Sequence, residues 1–504
     1  MAMIADGSAG GGPYQSYVYA YPHKTAYRPL DPRPPLRRVW EGEPMDSLSL
    51  YLHIPFCEMR CGFCNLFTRT GAPEELVAAY LDALERQAGA VREALDAALD
   101  GAPGSGPGAP GASGGASGAP GAPAGPVFAV AAVGGGTPTY LSAAELTRLF
   151  DLAERTMGVD LRAVPLSVET SPATATADRL AVLAERGTTR ISIGVQSFVD
   201  AEARAAVRPQ RRAEVEAALG RIREAGFETL NLDLIYGIDG QDARSWRHSL
   251  DAALAWKPEE IYLYPLYVRP LTGLGRRARD WDDHRLGLYR RGRDHLLAAG
   301  YEQVSMRMFR LPASARTATS AHTMTPARMT TSAHTGSSPR TAAPARTAGP
   351  IHTTGYCCQS DGMVGLGCGA RSYTSALHYS HEYAVGTRQV RAIIDDYVRL
   401  EPGDFTAANV GFRLGDDERR RRHLIQSLLQ AEGLDPDAYR ARFGTGATAD
   451  FGAELDRLAD RGWLETDASG WLRLTAEGLA HSDAIGPGLF SGAVRELMAG
   501  YEPR

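Results

Sequence analysis

The sequence lacks the features that would tie it to a membrane or to export. None of its apolar runs approaches the roughly 20 residues that span a bilayer. The N-terminus, MAMIADGSAGGGPYQ, has no basic segment followed by an apolar one, so no secretory signal is expected. Excess charge of one sign is also missing. The 54 Lys and Arg against 59 Asp and Glu leave a formal charge of -5, which gives no global attraction to nucleic acid or anionic lipid. Cysteine is scarce, with six in 504 residues, and three of these fall between positions 57 and 64. Without an export signal, metal-bound thiolates in a reducing cytoplasm fit better than disulfides.

What remains is ordinary for a globular chain. Hydrophobic residues make up 44% and charged residues 22%, enough for two or three domains. Two stretches cannot bury enough apolar surface to offset their ordering entropy. Residues 101–126 are almost wholly Gly, Ala, Pro and Ser. Residues 312–351 are rich in Ser, Thr, Ala, Pro, Arg and His. Both are expected to be disordered, the first as an insertion and the second as an insertion or linker.

Between Leu48 and Tyr267, short apolar runs alternate with helical patterns. Strands are expected at Leu48–Ile54, Val127–Val133, Val164–Glu169, Arg190–Val195, Thr229–Tyr236 and Glu260–Tyr267. A helix is expected to open at Pro73, with Glu74 and Glu75 in its first turn. Another opens on the capping-box pair Ser142 and Glu145. Strand–helix alternation predicts right-handed βαβ units on a parallel sheet. Six units are too few for an eight-fold barrel, so the fold class is α/β, a partial (β/α)6 parallel barrel. Helices at Asp416–Glu432 and Ala449–Arg461, then a hairpin at Gly462–Leu474, predict a smaller, mostly helical winged-helix-like C-terminal domain. Such modules often bind DNA, yet this one mixes acids with its arginines, and no nucleic-acid partner is expected. The expected division is a 1–46 extension, a 47–311 barrel, the 312–351 insertion, a 352–400 return to the core and a 401–504 C-terminal domain.

The chemistry concentrates in YLHIPFCEMRCGFC, residues 51–64. Pro55 ends the first strand, so Cys57, Cys61 and Cys64 sit on a loop at its C-terminal end. Three local thiolates can wrap an iron–sulfur cluster that commonly takes four, which leaves one iron open. The amino and carboxylate groups of S-adenosylmethionine (SAM) can chelate that iron, and one electron then yields a 5′-deoxyadenosyl radical. A structural zinc site is the alternative, with His53 or a distant cysteine as fourth ligand. Cys357, Cys358 and Cys368 could form a second metal site, but adjacent cysteines in an extended run point to opposite faces. Buried or active-site thiols without metal fit them better.

Four later motifs are GGGTPTYLS at 134–142, ISIGVQSF at 191–198, NLDLIYGIDGQ at 231–241, and GYCCQ with GLGCGARS at 355–372. With the cysteine motif, they make the chain resemble the radical SAM superfamily. More narrowly, it resembles the oxygen-independent coproporphyrinogen III oxidase family, which includes heme chaperones. The resemblance runs over about 48–275 and 301–486. It implies a [4Fe–4S] cluster on Cys57, Cys61 and Cys64, and one or two SAM molecules. It implies that Tyr51 lies near the cluster-bound SAM, and that Phe63 packs near adenine or a second cofactor molecule. Gly135, Gly136 and Thr137 would approach the methionine moiety. Glu169 would contact cofactor, and Gln196, Arg208 and Asp233 would hold a second SAM.

The residues lend their own support to these roles. Glycines after a strand let backbone amides approach a ligand, though a plain tight turn would also use them. Glu169, Gln196 and Asp233 fall near strand C-terminal ends, the chemical face of parallel barrels; each could instead be a surface or capping residue. Arg208 taken alone would be a solvated charge, and only the family register favours carboxylate binding. Arg371 stands where a small or apolar residue is usual and could pair with a substrate carboxylate or with a buried acid. The Gly355–Gln359 segment is nearer the oxidases than the chaperones' Asn-x-x-Tyr-Trp, whereas Asn65 and Leu66 stand where oxidases often carry a further cysteine. The resemblance implies oxidative decarboxylation of coproporphyrinogen III propionates. Partners would be a porphyrinogen and a reductant such as flavodoxin or ferredoxin.

Overall fold

The computed structural model describes residues 12–15, 18, 20–101, 125–208, 210–267, 274, 282–313 and 360–502. Most of 101–126 and 312–351, and Cys357 and Cys358 with the GYCCQ segment, lie outside the described residues.

Six parallel strands form the centre: β2 (Leu48–Ile54), β5 (Phe128–Gly135), β6 (Leu166–Thr170), β7 (Arg190–Gln196), β8 (Thr229–Tyr236) and β9 (Glu260–Pro265). They neighbour one another in that order. β5 runs two residues further than expected, so Gly134 and Gly135 end the strand rather than follow it. Each strand is split by its pleat. One face carries Leu50 and Leu52, Val168, Ile191 and Ile193, Leu230 and Leu232, and Ile261 and Leu263, all buried in the main core. Burying each such side chain contributes about 1.5–3 kcal/mol. The other face carries Tyr51, Ser167, Glu169, Arg190, Ser192, Asn231, Asp233, Tyr262 and Tyr264, which line cavities.

The sheet extends beyond the six expected strands. Against β2 lies β12 (Met363–Leu366), also parallel. Beyond it, antiparallel, come β13 (Arg371–Tyr373), β14 (Leu377–Ser380), β15 (Val410–Arg413) and β1 (Arg28–Pro29). At the other edge β9 pairs with β11 (Met308–Arg310), and that strand with β10 (Glu302–Gln303). Among the described residues the sheet has thirteen strands. The N-terminal segment is therefore tied to the C-terminal half through β1, and Val18, Tyr21 and Ala26 pack in the C-terminal core.

The helix Glu74–Asp100 starts after Pro73, as expected. Ser142 caps Ala143–Asp151 in a capping box, with Glu145 Oε2 accepting from the Ser142 amide at 2.8 Å. The C-terminal part has helices Asp416–Leu428, Pro436–Phe443 and Ala447–Asp460, then the hairpin β16 (Leu464–Thr466) and β17 (Leu472–Leu474). Among the described residues no helix is long and apolar enough to cross a membrane.

Candidate functional site

After β2 the chain turns at Pro55 and forms the two-residue strand β3 (Phe56–Cys57), which pairs with β4 (Arg69–Thr70). The loop between them holds the other two cysteines of the motif. Cys57, Cys61 and Cys64 are free thiols and line one cavity of about 380 Å³. Neighbouring segments brace the loop. The Cys64 amide donates to Cys61 O at 3.0 Å, Gly62 N to Ala206 O at 3.1 Å, and Leu274 N to Gly62 O at 2.8 Å. Cys57 Sγ lies 3.1 Å from Thr137 Oγ1, and Arg208 Nη1 donates to Cys61 Sγ at 3.2 Å.

Gly136, Thr137, Glu169, Gln196, Arg208, Asp233 and Phe63 line this same cavity. Gly136 has to be glycine: a Cβ there would lie 2.4 Å from Phe56 O. Gly135 has φ +119°, and its amide donates to Glu169 Oε2 at 3.2 Å. Arg208 is held by Gly194 O (2.8 Å) and Gln210 Oε1 (2.7 Å). Gln196 and Val207, on either side of this arginine's anchorage, both have positive φ, 68° and 51°. That conformation is strained for a β-branched valine, and such strain collects at ligand sites.

Other expected residues are placed differently. Asp233 is not at the strand end. It pairs with Gly194 and Tyr262 three residues before β8 finishes, one layer deeper than the rim. Tyr51, Gly135 and Arg371 line a second cavity of about 370 Å³ rather than the thiol cavity. The two cavities share Leu66, Glu169, Ser192, Asp233 and Tyr264. His53 is not free to be a metal ligand, because Nδ1 is 3.1 Å from Tyr51 OH and Nε2 is 3.3 Å from Phe67 O. Burial lowers it to about 4, so the ring is neutral. Cys368 is buried in the main core, where burial raises its thiol, and it contacts Tyr80 rather than either cavity.

The sequence motifs missed Arg190, Asn231, Ser192 and Lys24. Asn231 Nδ2 donates to Ser192 Oγ and to Asp233 Oδ1, both at 2.8 Å. The signal for three of them was polar alternation inside parallel strands (RISIGVQ, NLDLIY), where a sheet covered on both faces would be apolar throughout.

The residues present fit a cluster and SAM. Among the described residues no three His, Cys, Asp or Glu are close enough together to hold a single metal ion. A cluster, whose cysteines each bind a different iron, takes thiols spaced round a cavity. Glu58 Oε2 and Asn231 Oδ1 are buried acceptors without a hydrogen-bond partner, one in each cavity wall, and each calls for a ligand donor.

Burial, and next the Asp233 charge, push Glu169 up to about 7. Burial likewise pushes Asp233 up to about 6. The folded protein therefore keeps protons that the unfolded chain releases near the ordinary values of 4.5 and 3.8. Stability falls as pH rises through that window up to 7. Glu169→Gln and Asp233→Asn should each melt higher than the parent at pH 8 and match it near pH 4, as thermal unfolding of the two variants will show.

Residues 125–253 match the Radical SAM superfamily, and residues 414–481 the HemN C-terminal domain. The chain is therefore similar to the radical SAM superfamily over its central part and to the HemN C-terminal domain over its C-terminal part. Its relatives include proteins named oxygen-independent coproporphyrinogen III oxidase and heme chaperone. It is 32% identical over 225 residues to a heme chaperone of Bacillus subtilis, covering 44% of this chain and 52% of that protein. It is 30% identical to an oxygen-independent coproporphyrinogen III oxidase of Paracoccus denitrificans, covering 58% and 60%. These two alignments span little more than half of each relative. A Pseudomonas aeruginosa protein of the latter name aligns over 93% of this chain and 90% of its own length at 26% identity. The solved coproporphyrinogen III oxidase of Escherichia coli superposes with a TM-score of 0.69 at 22% identity, covering 94% and 96%, which shows the fold.

Proposed function

We propose that this chain is a radical SAM enzyme acting on a porphyrinogen. The observation that supports this best is the meeting of Cys57, Cys61 and Cys64 with Glu169, Gln196, Arg208 and Asp233 in one cavity wall. A [4Fe–4S] cluster bound there would supply the electron that cleaves SAM. Cys57, Cys61 and Cys64 would hold such a cluster and leave it open to the amino and carboxylate groups of SAM. Gly136 and Thr137 let the backbone approach the methionine moiety. Glu169 and Asp233 accept from ribose or amine donors, Arg208 and Gln196 orient cofactor, and Phe63 packs against adenine. Tyr51 supports the site through His53. Residues 47–311 and 352–400 form the catalytic core, and 401–504 a C-terminal cap.

The reaction we assign is oxidative decarboxylation of coproporphyrinogen III to protoporphyrinogen IX. At each of two propionates a hydrogen atom leaves the carbon β to the carboxylate. Carbon dioxide follows, an acceptor takes the remaining electron, and a vinyl group forms. A cytoplasmic setting and a flavodoxin or ferredoxin donor go with this assignment. A heme-chaperone role is favoured by the Bacillus subtilis similarity. The two separate in one experiment: the anaerobically reconstituted protein, with reductant and SAM, should convert coproporphyrinogen III to protoporphyrinogen IX as 5′-deoxyadenosine accumulates. No product, with heme bound at micromolar concentration, would instead favour the chaperone.

A further inference from the structure

The C-terminal part holds a third cavity, of about 320 Å³, which shares no lining residue with the other two. Four arginines line it, Arg421, Arg457, Arg461 and Arg495, against one carboxylate, Glu454. The chain as a whole is acidic, at -5, so composition does not account for this excess. Glu454 is spent on Arg421, which it meets at 3.4 Å and which Asp417 meets at 3.2 Å. Arg421 also donates to Leu489 O at 2.9 Å, and so belongs to the wall.

The other three are left for something outside the chain. Among the described residues none of Arg457, Arg461 and Arg495 has an ion-pair partner. Arg457 donates from Nε to Ala453 O at 3.1 Å, which leaves its two terminal nitrogens. Arg461 lies over the Trp463 ring, 5.0 Å from its centroid, and that ring stacks on His481 at 4.6 Å. Arg495 closes the first turn of the helix Gly492–Ala499, the end where the helix dipole disfavours a cation. Asp456, Asp460 and Glu496 neighbour these arginines in sequence but do not line the cavity. Like charges gathered without counter-charges are unfavourable on their own, and a bound polyanion reverses the sign. The floor is apolar, made by Leu458, Ile485, Leu489 and Phe490.

We infer that this cavity binds a nucleoside polyphosphate. Its phosphates sit on Arg457, Arg461 and Arg495, and its base and sugar lie against the apolar floor. Guanidinium suits phosphate because it forks onto two oxygens. Three such forks call for a chain of phosphates rather than a single one, and the apolar floor calls for a ring. The volume falls within the roughly 300–1,000 Å³ of small-ligand sites. The turn at 481–485 separates this cavity from the thiol cavity. His481, Ala484 and Ile485 line the one, while Asp483 pairs with Arg307, which lines the other. The inference does not rest on the porphyrinogen assignment.

The test is isothermal titration of the full-length, anaerobically reconstituted protein with ATP, GTP, tripolyphosphate and adenosine in magnesium-free buffer. ATP or GTP should bind with a micromolar Kd. Tripolyphosphate should bind about tenfold or more weakly, and adenosine should give no measurable heat. Arg461 and Arg495 are exposed, so R461Q/R495Q should melt with the parent and yet bind nucleotide about tenfold or more weakly. R461K/R495K, which keeps the charges and loses the forks, should fall between. Saturating nucleotide should leave the Kd for SAM within about twofold. No binding of either nucleotide, or parental affinity in R461Q/R495Q, would overturn the site. So would tripolyphosphate binding as tightly as ATP, which removes the nucleoside, or displacement of nucleotide by SAM, which moves it to the thiol cavity. None of these results bears on the decarboxylation.

Discussion

A protein carrying Cys57→Ala, Cys61→Ala and Cys64→Ala is expected to reconstitute without the broad brown absorption of an iron–sulfur cluster, and to release 5′-deoxyadenosine only at background level. The loop offers these three thiols to one cavity, and His53, in the adjoining cavity, has both nitrogens engaged. Cys368 is sealed in the core. Among the described residues the lining of the cavity offers no further thiol and no imidazole. The loop itself is braced by backbone bonds to Ala206 and Leu274, so the variant should keep its fold and circular dichroism. Iron and sulfide analysis checks the first loss, and chromatography of the nucleoside the second. Stoichiometric zinc in the parent protein, with no sulfide, would overturn the cluster.

The second large effect is on stability. Glu260 is 3% exposed and is bonded by two guanidiniums, Arg190 and Arg310. Glu260→Gln keeps the shape and removes the charge, leaving two half-buried cations facing one another. Breaking a buried pair in this way costs about 3–5 kcal/mol, and urea unfolding should show a loss of that order. The pH dependence has a definite sign. Although burial works the other way, the two arginines hold Glu260 below its usual value of 4.5. Its contribution is therefore complete above that value and is lost as the pH falls through the lower folded value. The parent should lose stability on acidification in that range, and the variant should lose less. If the two unfold at the same urea concentration at pH 7, the trio is not supporting the sheet.

These two sites were legible in the sequence to different degrees. The cysteine loop could be read outright, because its ligands are neighbours in the chain and Pro55 fixes where the strand stops. The six parallel strands were equally plain, since each is a short, apolar-rich run between helical patterns, and β2 and β8 have the predicted ends. What stayed hidden depends on distant partners. β1 has two residues and β13 three, too short for any periodicity, and they become strands only through pairing with segments far away in sequence. Asp233 was read as near the rim although the expected strand Thr229–Tyr236, which the structure keeps, already ran three residues past it. Glu260 sits at the start of β9, where an acid reads as a solvated strand end; two arginines from β7 and β11 make it a buried anchor. Lys24 gave no local signal, because a pairing across 383 residues, between Arg28 and Gly411, fixes its segment.

The pleat of the central strands has a consequence for how this protein can change. In β7 the residues Ile191, Ile193 and Val195 face the core, while Arg190, Ser192, Gly194 and Gln196 face the cavities. A one-residue insertion or deletion within such a strand would exchange the two sets, putting isoleucines into the reaction space and an arginine into the hydrocarbon. New substrates can then be reached only by point replacement on the strands or by remodelling of the segments that join them. The long low-complexity stretches of this chain fall between its strands, at 101–126 and 312–351, where lengthening leaves every strand register untouched.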